Sequence, residues 1–398
     1  MLADGVDRPL EAIEVLVAER YDAQPNHAMF AHGCGSPCPP HPAEVQQLVQ
    51  SGFFANPMKA NPMKANPLRA NPMKANHPME NSAVPVDGRR FDDRALSGPG
   101  PYPRIVVLDT GLAGQTDPSG FVAAVDHRPP FLAAAMASVA GVIRIMGERD
   151  LPDDDITSPS GALLAAADRY LDPAAGHGTF IAGIIEQLAP GCTIDVRKVI
   201  GPLGDAVENE VGNAIHDVVD AVQQGTLSKP LILSMSFGGQ ALEPPGYLRE
   251  AVARAIAAGI PIIASAGNDG LCTPQYPAAL PGVIAVAALG PDGPPLWTNY
   301  GDWVDACAPG VDLVSTFFDR FNGDFPTVNS FDPDHFSGWA EWSGTSFAVP
   351  VVVAAVAREL VCGRSPTGGD VDAVAAVDRV VRAPHLARLP CLGTVVNI

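Results

Sequence analysis

Charge is scarce in this 398-residue sequence, and positive charge is scarcest. Asp, Glu, Lys and Arg make up 17% of it, with 25 Lys and Arg against 44 Asp and Glu, for a net charge of −19. A surface of that sign repels phosphate, which excludes a general nucleic-acid binder. Long hydrophobic runs are missing as well. The longest apolar stretches, Phe131 to Ile143 and Phe347 to Ala357, fall short of the ~20 residues that cross a bilayer. Paired cysteines are lacking: seven, an odd number, are scattered from Cys34 to Cys391, which does not read as a disulfide framework. Met1 to Arg20 mixes charged with apolar residues and lacks the uninterrupted apolar core of a secretory signal. The expectation is a cytoplasmic protein, with export by another route left open.

What is present is apolar surface and turn residues. Hydrophobic residues make up 47%, enough to exclude wholesale disorder. Gly (39) and Pro (40) each approach a tenth of the chain, so turns and short connections are many and a long coiled coil is excluded.

Organisation changes along the chain. Residues 8–20 carry Leu10, Ile13, Leu16 and Val17 at helical spacing. Residues 24–42 are rich in Pro, Gly, His and Cys and predict irregular backbone. Ala43 to Gln50 predicts a second short helix. A five-residue repeat follows: Ala55-Asn56-Pro57-Met58-Lys59 recurs at 60–64, varies at 65–69, recurs at 70–74 and decays by Glu80. Proline every fifth residue disfavours helical geometry at each preceding Asn, so an extended segment or a string of turns is expected. Either it is a flexible linker, or its cations Lys59, Lys64, Arg69 and Lys74 dock it on an acidic body. These boundaries predict an N-terminal extension (1–50), a repeat segment (51–82), a linker (83–100) and one catalytic domain (101–398).

From residue 101 the pattern is that of an α/β domain. β-branched runs at Arg104–Leu108, Thr193–Val199, Leu231–Met235, Ile260–Ala264 and Val283–Ala287 alternate with helical stretches near 176–188, 207–224 and 246–258. Such alternation predicts βαβ units around a mostly parallel sheet covered on both faces.

Four short stretches within it carry side chains fit for chemistry. Asp109 ends a buried strand and precedes Thr110-Gly111, where open α/β sheets place their sites. The same tripeptide occurs in aspartic proteases, but those need two carboxylates sharing a proton, and no second copy is present. His177 lies between Gly176 and Gly178 at the start of an apolar helix, with Gly183 further on, and these glycines allow close backbone approach. Ser346, in Ser343-Gly344-Thr345-Ser346-Phe347-Ala348-Val349-Pro350, is expected in the first turn of a buried helix, in the positive field of its N-terminus. Asn268 follows Ala264-Ser265-Ala266-Gly267 at a strand end. Read singly, each has a plainer explanation: a capping Asp, a structural His, a Ser N-cap, a Gly-Asn turn.

Together, in the order Asp109, His177, Asn268, Ser346, they resemble the motifs of the subtilisin-like serine proteases, the subtilases of peptidase family S8. The order Asp, His, Ser also differs from that of α/β-hydrolases. The resemblance spans Arg104 to the Ser346 helix and extends to a closing strand at Gly393–Ile398. It implies a three-layer fold and a serine endopeptidase. Ser346 would attack the peptide carbonyl, His177 would move the proton, Asp109 would orient the imidazole, and Asn268 would donate to the oxyanion. It further implies that Ser234, Met235, Ser236, Phe237 and Gly238 bind the substrate as an added strand, and that Ala264, Ser265, Ala266 and Gly267 wall its first specificity pocket. Asp269 hints at tolerance of a basic residue there. The chemistry needs no cofactor; structural calcium stays unassigned, although Asp153-Asp154-Asp155 is acidic.

Several features depart from that pattern. The separation between Asp109 and His177 is long and predicts an insertion bordering the cleft, including the apolar block at 131–146. His27, His32, Cys34, Cys38 and His41 are soft ligands, but their spacing fits no zinc motif and they are expected to be free. The first hundred residues do not resemble a compact prodomain. Residues near 51–82 are expected to lie near the cleft and to be cut during activation. The remaining alternative is a catalytically silent peptide-binding module with the same fold. All four chemical groups are present, which argues against it.

Overall fold

A computed structural model describes residues 28–31, 102–114, 127–137, 142–151, 174–201, 204–241, 244–291, 293–322, 335–362 and 372–397. In chain order the strands begin with β1 (Ala28–Ala31), β2 (Arg104–Asp109) and β3 (Leu112–Ala113). Helix α1 (Pro130–Met136), strands β4 (Ile145–Gly147) and β5 (Arg149–Asp150), and helix α2 (His177–Leu188) come next. Strands β6 (Thr193–Lys198) and β7 (Asp205–Val207), helix α3 (Glu208–Gln223), strands β8 (Leu231–Met235) and β9 (Phe237–Gly238) and helix α4 (Gly246–Ala257) follow. The chain then forms β10 (Ile262–Ser265), β11 (Ile284–Leu289), β12 (Ala306–Pro309), β13 (Leu313–Asn322), β14 (His335–Trp342) and helix α5 (Thr345–Cys362). It closes with α6 (Ala373–Val377), a π-helical turn at Asp378–Arg382, β15 (Arg388–Leu389) and β16 (Gly393–Val395).

Nine strands form the main sheet in the order β15-β16-β12-β11-β10-β8-β2-β6-β4. All neighbours run parallel except β15 against β16. Alternation within the strands feeds two cores. Ile105, Val107 and Ile232 point to the face covered by α2 and α5. Val106, Leu108, Leu231, Leu233 and Met235 point to the face covered by α3 and α4. Burial on both faces is why these strands read as continuous β-branched and aliphatic runs. Helix α5 is buried along nearly its whole length, which explains its unbroken apolar sequence. No helix among the described residues is long and apolar enough to cross a membrane.

Two regions differ from expectation. The 131–146 block contributes to the main fold: Leu132, Ala135 and Met136 of α1 join the larger core, and β4 is the edge strand beside β6. Residues 28–31, inside a stretch expected to be irregular, form β1, which pairs with β7 and β9. Its strand character comes from edges almost two hundred residues away, so local composition gave no sign of it. The helices expected at 8–20 and 43–50, the pentapeptide repeat and the acidic run 153–155 lie outside the described residues.

Candidate active site

The C-terminal ends of β2, β8 and β10, adjacent in the sheet, bring the singled-out residues to one edge, the place where parallel α/β sheets bind ligands. Asp109 closes β2, fully buried, and its Oδ1 accepts both the Thr110 amide (2.8 Å) and His177 Nδ1 (2.7 Å). A carboxylate only accepts, so Nδ1 carries the proton and Nε2 is left as the basic nitrogen. His177 is 1% exposed, and Nε2 has no hydrogen-bond partner. Trp342 packs edge-on against the imidazole at 5.5 Å between ring centroids, and Phe347 packs tilted at 5.3 Å. These rings shield the Asp109–His177 pair from water and thereby strengthen it.

The Gly-His-Gly sequence has a steric cause. Gly176 caps α2 with φ +79, and a Cβ there would sit 2.3 Å from the Phe317 ring. At Gly178 a Cβ would sit 2.3 Å from the Gly111 carbonyl oxygen. The helix bearing His177 is thus pressed directly onto the turn that follows Asp109.

A second buried carboxylate, which sequence reasoning missed, fastens this junction. Asp150, at the end of β5, accepts the Thr110 hydroxyl (2.9 Å) and the Gly176 amide (2.8 Å) on Oδ2. Thr110 Oγ1 in turn accepts the Gly178 amide at 3.0 Å. Burial pushes the Asp150 carboxyl up to about 7, against the opposing pull of Lys198 and of its two hydrogen bonds. Asp150 ties the β2 turn to the first turn of α2, and nothing in its sequence spacing marks it.

Ser346 is the second residue of α5 and fully buried. Its hydroxyl donates to the Ser236 carbonyl (2.8 Å), and the Ser236 hydroxyl returns a bond to the Ser346 carbonyl (2.8 Å). The hydroxyl is therefore turned toward the β8–β9 junction, and its bond to His177 Nε2 is not formed. Asn268 is fixed by Thr345 at the start of α5: Oδ1 accepts the Thr345 amide and the Thr345 hydroxyl, both at 2.9 Å. A backbone N–H can only donate, so the atom facing it is the oxygen, and Nδ2 is left buried without a partner. The Gly267 amide donates to Thr345 Oγ1 at 3.2 Å, and Gly267 (φ +104) has no room for a Cβ, which would lie 2.4 Å from Asn299 Nδ2. Asn299 itself, also missed in the sequence, holds the loop by accepting the amides of Asp269 and Leu271 and donating to the Ala266 carbonyl.

Of the residues expected to bind substrate, Ser234, Met235 and Ser236 are buried, and Met235 pairs with Ala264 across β8 and β10. Phe237 and Gly238 form β9 and pair with β1. Ala264, Ser265 and Ala266 are buried at the end of β10. The Asp269 carboxyl, raised above its ordinary value by burial, accepts from Gln275 at 3.2 Å. The described residues contain no group of three or more His, Cys, Asp or Glu able to hold a metal ion.

Comparison with known proteins agrees with this geometry. Residues 103–361 match the model of the Subtilase family, Peptidase S8. The thermophilic serine proteinase of Bacillus sp. (strain AK1) is 32% identical over 200 residues, 48% of this chain and 43% of that one. Thermitase of Thermoactinomyces vulgaris is 30% identical over 56% of this chain and 70% of its own. The chain thus spans less than half of the first relative and about seven tenths of the second. The solved structure of the prenylagaramide maturation protease PagA is similar in fold, with a TM-score of 0.50, 23% identity, and coverage of 76% of this chain and 92% of that one. The chain belongs to the subtilase family, the subtilisin-like serine proteases.

Proposed function

We propose that this chain is a serine endopeptidase that cleaves peptide or protein substrates through Asp109, His177 and Ser346, with Asn268 serving the oxyanion. The observation that carries this reading is the buried hydrogen bond of His177 Nδ1 to Asp109 (2.7 Å), which leaves Nε2 as the basic nitrogen in a domain that belongs to the subtilase family. Nε2 and Asn268 Nδ2 are both buried without a hydrogen-bond partner. One is a base and the other a donor, and acyl transfer gives each a partner: Nε2 the proton of Ser346, Nδ2 the carbonyl oxygen as it gains charge.

In the first step the Ser346 hydroxyl exchanges its bond to the Ser236 carbonyl for one to Nε2. Catalytic hydrogen bonds often tighten in this way only when substrate is bound. Ser346 Oγ attacks the carbonyl carbon as Nε2 takes the proton, and Asp109 stabilises the imidazolium while keeping the ring in place. Asn268 Nδ2 and the Ser346 amide donate to the oxyanion, preorganised because Thr345 already fixes the Asn268 amide plane. The imidazolium gives its proton to the leaving amine. Water then repeats the sequence on the acyl-enzyme, returning Ser346 and releasing the acid. No cofactor enters these steps.

Cleavage of an unfolded protein substrate by the wild-type chain beside Ser346→Ala tests the reading. Turnover by the wild type and its loss in the variant are expected; equal turnover in the two overturns it.

A further inference from the structure

Asp150, 1% exposed, is a buried carboxyl that the proposed chemistry leaves unused. Both backbone neighbours of His177 end on its Oδ2. The Gly176 amide donates to it directly at 2.8 Å. The Gly178 amide donates to Thr110 Oγ1 at 3.0 Å, and the Thr110 hydroxyl donates onward to Oδ2 at 2.9 Å. The Thr110 amide in turn donates to Asp109 Oδ1 (2.8 Å), the oxygen that also accepts from His177 Nδ1. One carboxyl thus fastens the peptide units on both sides of the imidazole and, through Thr110, the turn that carries Asp109.

The need for such an anchor follows from the glycines. A helix leaves its first amides without partners, and a Ser, Thr, Asp or Asn at the N-cap usually accepts from one of them. Gly176 has no side chain to do so, and α2 has no side-chain cap. Asp150 and Thr110 supply the missing acceptors from outside the helix. Their own frame is short and tight: β5 pairs with β3, with Ala113 opposite Asp150, and the Leu112 amide donates to the Glu148 carbonyl at 2.7 Å. Asp150 Oδ1 is buried without a partner, so the hydrogen bonds of this side chain all serve the one junction.

We propose that Asp150 is a positioning residue for the His177 imidazole, which it places between Asp109 and Ser346 by holding residues 176 and 178. It touches no substrate and moves no proton itself. Its effect on rate rests on the reading of His177 as general base, whereas its effect on the Asp109–His177 bond does not. A helix start that drifts without this anchor leaves Nε2 misplaced at the moment of proton transfer, and small misplacements of a reacting group cost much of its contribution.

Four variants of the full chain test this. Asp150→Ala removes the anchor, and Thr110→Val keeps the shape of the relay while deleting its hydroxyl. Asp150→Asn and Thr110→Ser retain an acceptor and a hydroxyl at the same places. Turnover of dye-labelled casein is measured well below each chain's melting temperature, read by circular dichroism. The Ala and Val chains are expected to lose about 10–100-fold in kcat with KM within about twofold, because a misplaced base weakens only the transition state. The Asn and Ser chains are expected to regain most of that loss. Wild-type kcat in the Ala or Val chain, or no recovery in the Asn and Ser chains, overturns the proposal. Should Asp150→Ala fail to fold, the Thr110 pair decides. A second readout needs no turnover: the low-field proton resonance of His177 Nδ1–H, recorded in a Ser346→Ala background. It is expected in the parent and in Asp150→Asn, and shifted upfield or lost in Asp150→Ala and Thr110→Val. Its absence from the parent, or an identical signal in all four chains, overturns the proposal. If the signal responds as expected while the wild type hydrolyses nothing, the catalytic reading fails and the positioning role stands.

Discussion

At the scale of single residues, the site depends on donors and acceptors fixed before substrate arrives. Thr345 orients the Asn268 amide through two bonds to one oxygen, so the loose NH₂ is the part available for chemistry. Asn268→Ala is expected to lower kcat by about 10²–10³-fold with little change in KM, because the lost donor acts on charge that exists only in the transition state. A fall in KM-linked binding with kcat intact would contradict that role. Asp150 makes a different prediction. Its carboxyl titrates at 3.8 when unfolded and near 7 when folded, raised mainly by burial. Between those values the folded chain holds a proton that the unfolded chain has released. Its contribution to stability is therefore full below about pH 4, falls as pH rises, and is gone by about pH 7. Asp150→Asn keeps the acceptor for Thr110 and Gly176 and cannot titrate. Melting curves from pH 4.5 to 7.5 are expected to decline less steeply with pH for this variant than for the wild type. Parallel declines would show that Asp150 does not titrate in that window.

At the scale of elements, the fold positions the histidine by pressing α2 between the β2 turn and the β13–β14 hairpin. Thr316 donates to the Thr179 carbonyl (2.9 Å) and Ser315 to the Phe180 carbonyl (2.6 Å), so β13 is laced to the first turn of the helix bearing His177. Gly183 makes this approach possible: a Cβ there would lie 2.2 Å from Thr316 Oγ1 and 2.4 Å from Ser315 Oγ. Gly183→Ala is expected to destabilise the chain by about 1–3 kcal/mol through overpacking, read as a lower urea midpoint at unchanged slope. No shift in midpoint would mean that α2 and the hairpin can separate freely. This layer was only partly legible in the sequence. The strand that ends in Asp109, the strand that runs up to Ser236, and the helices bearing His177 and Ser346 announce themselves because buried strands and an all-apolar helix leave uninterrupted hydrophobic runs. The hairpin and Asp150 do not. Trp342 and Phe317 lie far apart in a loop-like stretch, and Asp150 sits beside an acidic run, so only three-dimensional packing singles them out.

At the scale of the whole molecule, one α/β body holds the proposed site, and a short N-terminal strand pairs with its β7 and β9. The body was legible because each element is specified by its own local pattern. β1 was not, since four residues without alternation become a strand only where two foreign edges await them; composition pointed instead to irregular backbone at 24–42. The central claim remains that Ser346 is a nucleophile activated by His177. The most direct measurement is labelling of the full-length chain with a fluorophosphonate, followed by mapping of the adduct by tandem mass spectrometry, in the wild type and in His177→Ala. The account predicts a single adduct on Ser346 that disappears, or slows by at least a thousandfold, without the imidazole. An adduct on another residue, or labelling of Ser346 at the same rate in His177→Ala, would contradict it.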